Sequence, residues 1–153
     1  MNPMKAAAWR NPLRDPPFRF ALLGGALFWL VLWLSVPTRP AKPAEVFSRG
    51  FLLLILFWPV VEELVFRGIL QAELYRVSWA RQSRFGISAA NVLTSILFTL
   101  AHVPHHPPLW AAAVIVPSLI FGYFRDRTCA VYPSILLHVY YNLGYFLLTG
   151  LAQ

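Results

Sequence analysis

Six polar side chains stand within or at the ends of long apolar runs: Glu62, Glu63, Arg67, His102, His138 and Asn142. Groups of this kind are costly in lipid or in an apolar core, so they mark a partner, a cavity or a site. On a helix, positions four apart share a face and adjacent positions point about 100° apart. Glu63 precedes Arg67 by four residues, the favourable order for an ion pair, and burial of that pair would neutralise both charges. Glu62 points elsewhere and is left for chemistry. His138 and Asn142, also four apart, face one side of their helix. His102 continues a stripe through Asn91, Ser95 and Phe98.

A carboxylate beside an imidazole can hold and deprotonate a water. A second imidazole and an amide N–H can donate to an oxyanion as it forms. That set suits attack of water on a peptide carbonyl. No Ser or Cys is obviously paired with a base, which favours direct water attack over an acyl-enzyme. Glu62, His102 and His138 could also supply a His₂Glu zinc set. Against zinc, the chain has no HExxH, and Asn142 suits a hydrogen-bond donor better than a ligand. The expectation is no cofactor and no metal, with zinc as the alternative.

The elements that must position these groups are apolar runs. Of the 153 residues, 58% are hydrophobic and only 12% charged, against about 25% charged in soluble domains. The runs are Phe20–Val36, Phe51 to Leu74, Gly86–Val103, Leu109–Phe124 and Ala130 to Leu151. Each reads as a membrane-spanning helix. The predicted fold is therefore all-α: a polytopic transmembrane bundle of about five spanning helices. Residues 1–19 form a basic lead and 20–153 a single transmembrane domain. The first run follows that lead without a clean cleavage site, so it reads as an uncleaved helix rather than a signal peptide. Pro59 should loosen the second run just before the acidic pair, and Pro117 interrupts the fourth.

The net charge of +7 would suggest nucleic acid for a soluble protein. Here the basic residues lie mostly between runs, where they would face phospholipid headgroups, so no nucleic-acid partner is expected. With the N-terminus cytoplasmic, the inner segments hold four, three and two Lys or Arg, nine in all, against three in the outer ones. This favours N-in. Trp9, Trp79 and Trp110 sit near run ends as interface anchors would. Tyr140, Tyr141 and Tyr145 suit packing or a pocket wall. His105 and His106 fall in a proline-rich turn. Cys129, the single cysteine, has no internal disulfide partner.

Three segments carry a resemblance. Glu62-Glu63-Leu64-Val65-Phe66-Arg67-Gly68 resembles the EExxxRG-type signature of the CAAX-protease and bacteriocin-processing family of intramembrane peptidases. Phe98 to His102 resembles that family's FxxxH motif, and His138 to Asn142 its HxxxN motif, all in family order within residues 51–145. The resemblance implies a metal-free glutamate-type endopeptidase. Glu62 would be the general base, His102 would orient the water, His138 and Asn142 would form the oxyanion hole, and Glu63 and Arg67 would support them. The chain is compact, like a small bacterial subgroup associated with C-terminal sorting tags. That implies a tagged or lipidated membrane-protein substrate and a place in the bacterial inner membrane. A transporter or proton-relay protein, which would show an inverted repeat, and a non-catalytic binding or immunity protein remain the alternatives.

Overall fold

The computed structural model describes residues 11–151 and is mostly helical. The anchor expected at Trp9 and the basic residues Lys5 and Arg10 lie outside the described residues. In chain order the α-helices are α1 (Pro16–Ser35), α2 (Pro43–Val46), α3 (Arg49–Leu52), α4 (Trp58–Glu63), α5 (Gln71–Leu74), α6 (Ala89–His102), α7 (Pro108–Ala113), α8 (Ile115–Thr128) and α9 (Tyr132–Thr149).

Helices α3 to α5 run on from one another. They are joined by π-helical segments at Leu53–Phe57 and Leu64–Leu70, so residues 49–74 are helical throughout. Pro59 explains the first of these. It has no N–H to donate and its ring crowds the preceding turn, and a π register absorbs that conflict. The fourth apolar run breaks at Val114, between α7 and α8. Pro117 lies four residues after Ala113 and cannot donate back to its carbonyl, which accounts for the interruption there.

Element ends follow local capping. Pro16 opens α1 at a position where no donor is needed. The Ser88 hydroxyl accepts from Asn91 N–H and starts α6 three residues later than the apolar run begins. The residues it displaces form a small antiparallel ribbon, β1 (Ser83–Arg84) with β2 (Ile87–Ser88), around a turn at Phe85 and Gly86, both with positive φ. This ribbon departs from the all-α expectation. Paired positive φ values match the twist of a tight hairpin, and a glycine supplies one of them.

The chain divides into two compact units, with described parts 62–135 for one and 11–61 with 136–151 for the other. In the 62–135 unit, α6 packs on α8. Gly122 allows the approach, since a Cβ there would overlap the Asn91 side chain. In the other unit, α9 packs on α1 through Gly25, which lies against the Tyr141 ring, and Gly144, which lies against the Trp29 ring. Two helical stretches, Pro16–Ser35 and Pro108–Thr128, are long and apolar enough to cross a membrane, and Ala89–His102 is a shorter apolar helix. On α1 the residues Phe20, Leu23, Leu27, Leu30, Val31, Trp33 and Leu34 are all exposed. An exposed apolar surface of that extent suits lipid rather than water.

Candidate functional site

Burial separates the two acidic residues of the first motif. Glu63, on α4, is wholly buried, and Glu62 beside it is half-buried. Arg67, in the second π segment, is also wholly buried, with Nε 3.3 Å from Glu63 Oε2. That distance suits an ion pair, without the alignment of a hydrogen bond. The stronger anchoring is on α8. Arg67 Nη2 donates to the Ser118 carbonyl at 2.8 Å and to its hydroxyl at 2.6 Å. The guanidinium also lies over the rings of Phe98, at 4.6 Å, and Phe121, at 5.6 Å. Contact with ring faces keeps a planar cation stable away from water. Both carboxylates attract Arg67, Glu63 more than Glu62. Glu62 is therefore not wholly aimed elsewhere. A π register turns positions five apart closer to a common face than an α register does.

Phe98 joins the first motif to the second. Its ring meets Phe66 edge-on at 4.9 Å, supports Arg67, and lies 4.6 Å from the His102 ring. His102 closes α6 and is half-buried, with Nδ1 2.8 Å from the Phe98 carbonyl oxygen. A carbonyl only accepts, so Nδ1 carries the proton and Nε2 of the neutral ring is the basic nitrogen. His106 follows in the exposed turn, its ring stacked on that of His102. The His106 imidazole titrates below its ordinary range, first because burial disfavours its charge, then because His102 and His105 are near.

His138 and Asn142 belong to the other unit, four residues apart on α9. His138 is buried and Asn142 half-buried. Asn142 Nδ2 donates to the Leu54 carbonyl at 3.0 Å. Pro59 makes that carbonyl available. At Trp58 the register is π, its N–H bonding Leu53. The next π-register donor, to Leu54, would be residue 59, a proline with no N–H. One N–H of Asn142 is thus committed and the amide plane is set, leaving the second N–H for another acceptor.

Sequence reasoning missed several supporting groups. Gln71 Nε2 donates to the Gly122 carbonyl at 3.0 Å and to Asp126 Oδ1 at 2.8 Å. Ser88 donates to Asp126 Oδ2 at 2.6 Å, and Arg125 Nε to the Arg67 carbonyl at 3.1 Å. Gln71 lies four residues after Arg67, and that spacing was the signal to follow. Asn91 and Ser95, expected on the His102 stripe, pack instead. Asn91 Nδ2 donates to the Leu119 carbonyl at 3.0 Å, and Ser95 donates to Asn91 Oδ1 at 3.1 Å. Tyr140 and Tyr141 spend their hydroxyls on the Leu22 and Ala21 carbonyls of α1, so both serve packing. Among the described residues no group of three or more His, Cys, Asp or Glu is gathered to hold a metal ion.

Residues 23–144 match a protein family described as type II CAAX prenyl endopeptidase Rce1-like. No curated protein and no solved structure matches the chain. The family match spans most of the chain and includes every residue of the three motifs, so the chain belongs to the Rce1-like type II CAAX prenyl endopeptidase family, a family of membrane proteases.

Proposed function

We propose that the chain is a multi-pass intramembrane endopeptidase of the glutamate type. The observation that carries this reading is the division between the two adjacent carboxylates: Glu63 is wholly buried against Arg67, while Glu62 keeps partial access. One acid is spent on structure, and its neighbour, although also drawn to Arg67, keeps an accessible side for chemistry. The roles come from the match of the three motifs, residue by residue. Glu62 takes a proton from water as the water oxygen attacks the scissile carbonyl carbon. His102 orients that water through Nε2, which its Nδ1 bond to Phe98 leaves as the basic nitrogen. His138 and the second N–H of Asn142 donate to the oxyanion. Glu62 then returns its proton to the leaving nitrogen as the C–N bond breaks. No metal takes part.

The five apolar runs of the sequence are read as five spans with the N-terminus cytoplasmic, in a bacterial inner membrane. The substrate is a membrane-associated protein, tagged at its C-terminus or lipidated. The partners are that protein and the surrounding lipid, without nucleic acid.

The test is cleavage of a membrane-anchored fluorescent reporter bearing a C-terminal sorting tag, in liposomes, by wild type and Glu62→Gln. Cleavage by wild type and its loss by at least about a thousandfold in a normally folded variant is the expected result. Equal cleavage by both removes Glu62 from the reaction. Binding of the reporter without cleavage by either points to a non-catalytic member. Loss of wild-type activity to a chelator, restored by zinc, would move the site to the metallopeptidases.

A further inference from the structure

The turn after α6 delivers a second imidazole to the first. His105 N–H bonds the His102 carbonyl at 3.1 Å, which continues the helical winding for one more turn. His106, four residues after His102, therefore comes back over it, with ring centroids 5.9 Å apart and planes within 13°. Pro104, Pro107 and Pro108 fix φ on either side, so the loop is stiff where the rings meet.

We propose that His106 is a positioning residue for His102, holding its imidazole by ring stacking in the orientation that keeps Nδ1 on the Phe98 carbonyl and Nε2 available to water. This rests on the assignment of His102 to the site. Without a neighbour, an imidazole at a helix end turns about its χ2 bond and exchanges tautomers. Here the Phe98 ring, at 4.6 Å, and the His106 ring bound that rotation from two residues, and the 2.8 Å Nδ1 contact closes it. The titratable groups that act on His106 are His102 on α6 and His105 in the same turn. The lowered titration of His106, which comes first from burial and then from the nearness of the other two imidazoles, fits that placement.

The chain has four histidines, so each imidazole can be followed by nitrogen NMR of histidine-labelled protein in nanodiscs and assigned by single substitutions. In wild type, His102 should report one tautomer with the proton on Nδ1, and His106 should titrate below the usual histidine range. His106→Ala should leave folding intact, turn His102 into a mixture of tautomers and lower kcat on the sorting-tag reporter about fivefold at unchanged KM. His106→Phe keeps a ring in place and should restore both. A His102 tautomer that ignores both substitutions, with unchanged kcat, overturns the proposal. The underlying assignment is tested separately by His102→Gln. If that variant cleaves the reporter normally, His102 is not at the site and the proposal falls with it. If it is inactive while His106→Ala is fully active, only the role of His106 is lost.

Discussion

The two units handle buried polarity differently. Around Arg67 the 62–135 unit gathers a network: a charge pair, a serine that accepts twice, two aromatic faces, and a second cluster in which Gln71 and Ser88 share Asp126. In the other unit, Tyr140, Tyr141 and Asn142 on α9 each reach one backbone carbonyl, of Leu22, Ala21 and Leu54. A buried charge loses a large hydration energy and needs several partners to recover it. A neutral hydroxyl or amide is nearly satisfied by one acceptor. Where there is no charge, close approach of helices at glycines carries the packing, as at Gly25 and Gly144.

The sharpest way to break that contrast is to remove the charge partner. Arg67→Ala should cost about 3–5 kcal/mol, because Glu63 is left buried without its cation. Thermal unfolding in detergent would show it. A double variant, Glu63→Gln with Arg67→Met, should recover part of the loss. Wild-type stability in Arg67→Ala alone would mean that the pair holds nothing.

A smaller effect is expected where shape dominates. A methyl at Gly144 would run into the Trp29 ring, so Gly144→Ala should cost about 1–3 kcal/mol. Adding Trp29→Ala should relieve the clash, and a simple sum of the two losses would argue against contact as the cause.

Pro59 tests a single bond in the same unit. Pro59→Ala supplies the N–H that competes with Asn142 for the Leu54 carbonyl. Asn142 would lose the bond that orients it. Peptidase activity should fall about tenfold while stability holds or rises. Unchanged activity would separate the orientation of Asn142 from the reaction.

The mildest effect concerns the short helix α2 and the segment leading into it. The Lys42 backbone N–H donates to Glu45 at 3.0 Å and Arg39 Nη2 at 2.6 Å. These bonds, the backbone one first, hold the Glu45 carboxyl below its ordinary value of 4.5. A depressed carboxylate contributes stability above that ordinary value and loses it as the pH falls through the depressed one. The stability difference between wild type and Glu45→Gln should therefore fade on acidification below pH 4.5. A difference that stays constant with pH would remove Glu45 from the linkage.

Much of the helical layout was legible because long apolar runs say where helices lie whatever packs beside them. Boundaries were less legible. Ser88 as a cap and the turn at Phe85 and Gly86 shorten the third run, and a cap depends on one local hydrogen bond rather than on the pattern. Of the site, the pairing of Glu63 with Arg67 followed from spacing alone, since residues four apart share a face on an α-helix and the π segment shifts that face without separating them. The ties of Arg67 to Ser118 and Phe121 did not, because 51 residues separate Arg67 from Ser118. The π segments were hidden as well, although Pro59 announced one of them.

What the sequence by itself determined was the set of groups available: one acidic pair, two histidines and an amide at helical spacings within apolar runs, in the order of a known family. Only the tertiary structure decided how each is held. It buries Glu63 and leaves Glu62 partly open. It sets the tautomer of His102 through the Phe98 carbonyl, and it turns Asn142 toward a carbonyl that a proline had left without its helical donor. Spacing fixes which face of a helix a side chain occupies. Its partners, its burial and its proton depend on the neighbouring helix, and a one-dimensional pattern does not specify that neighbour.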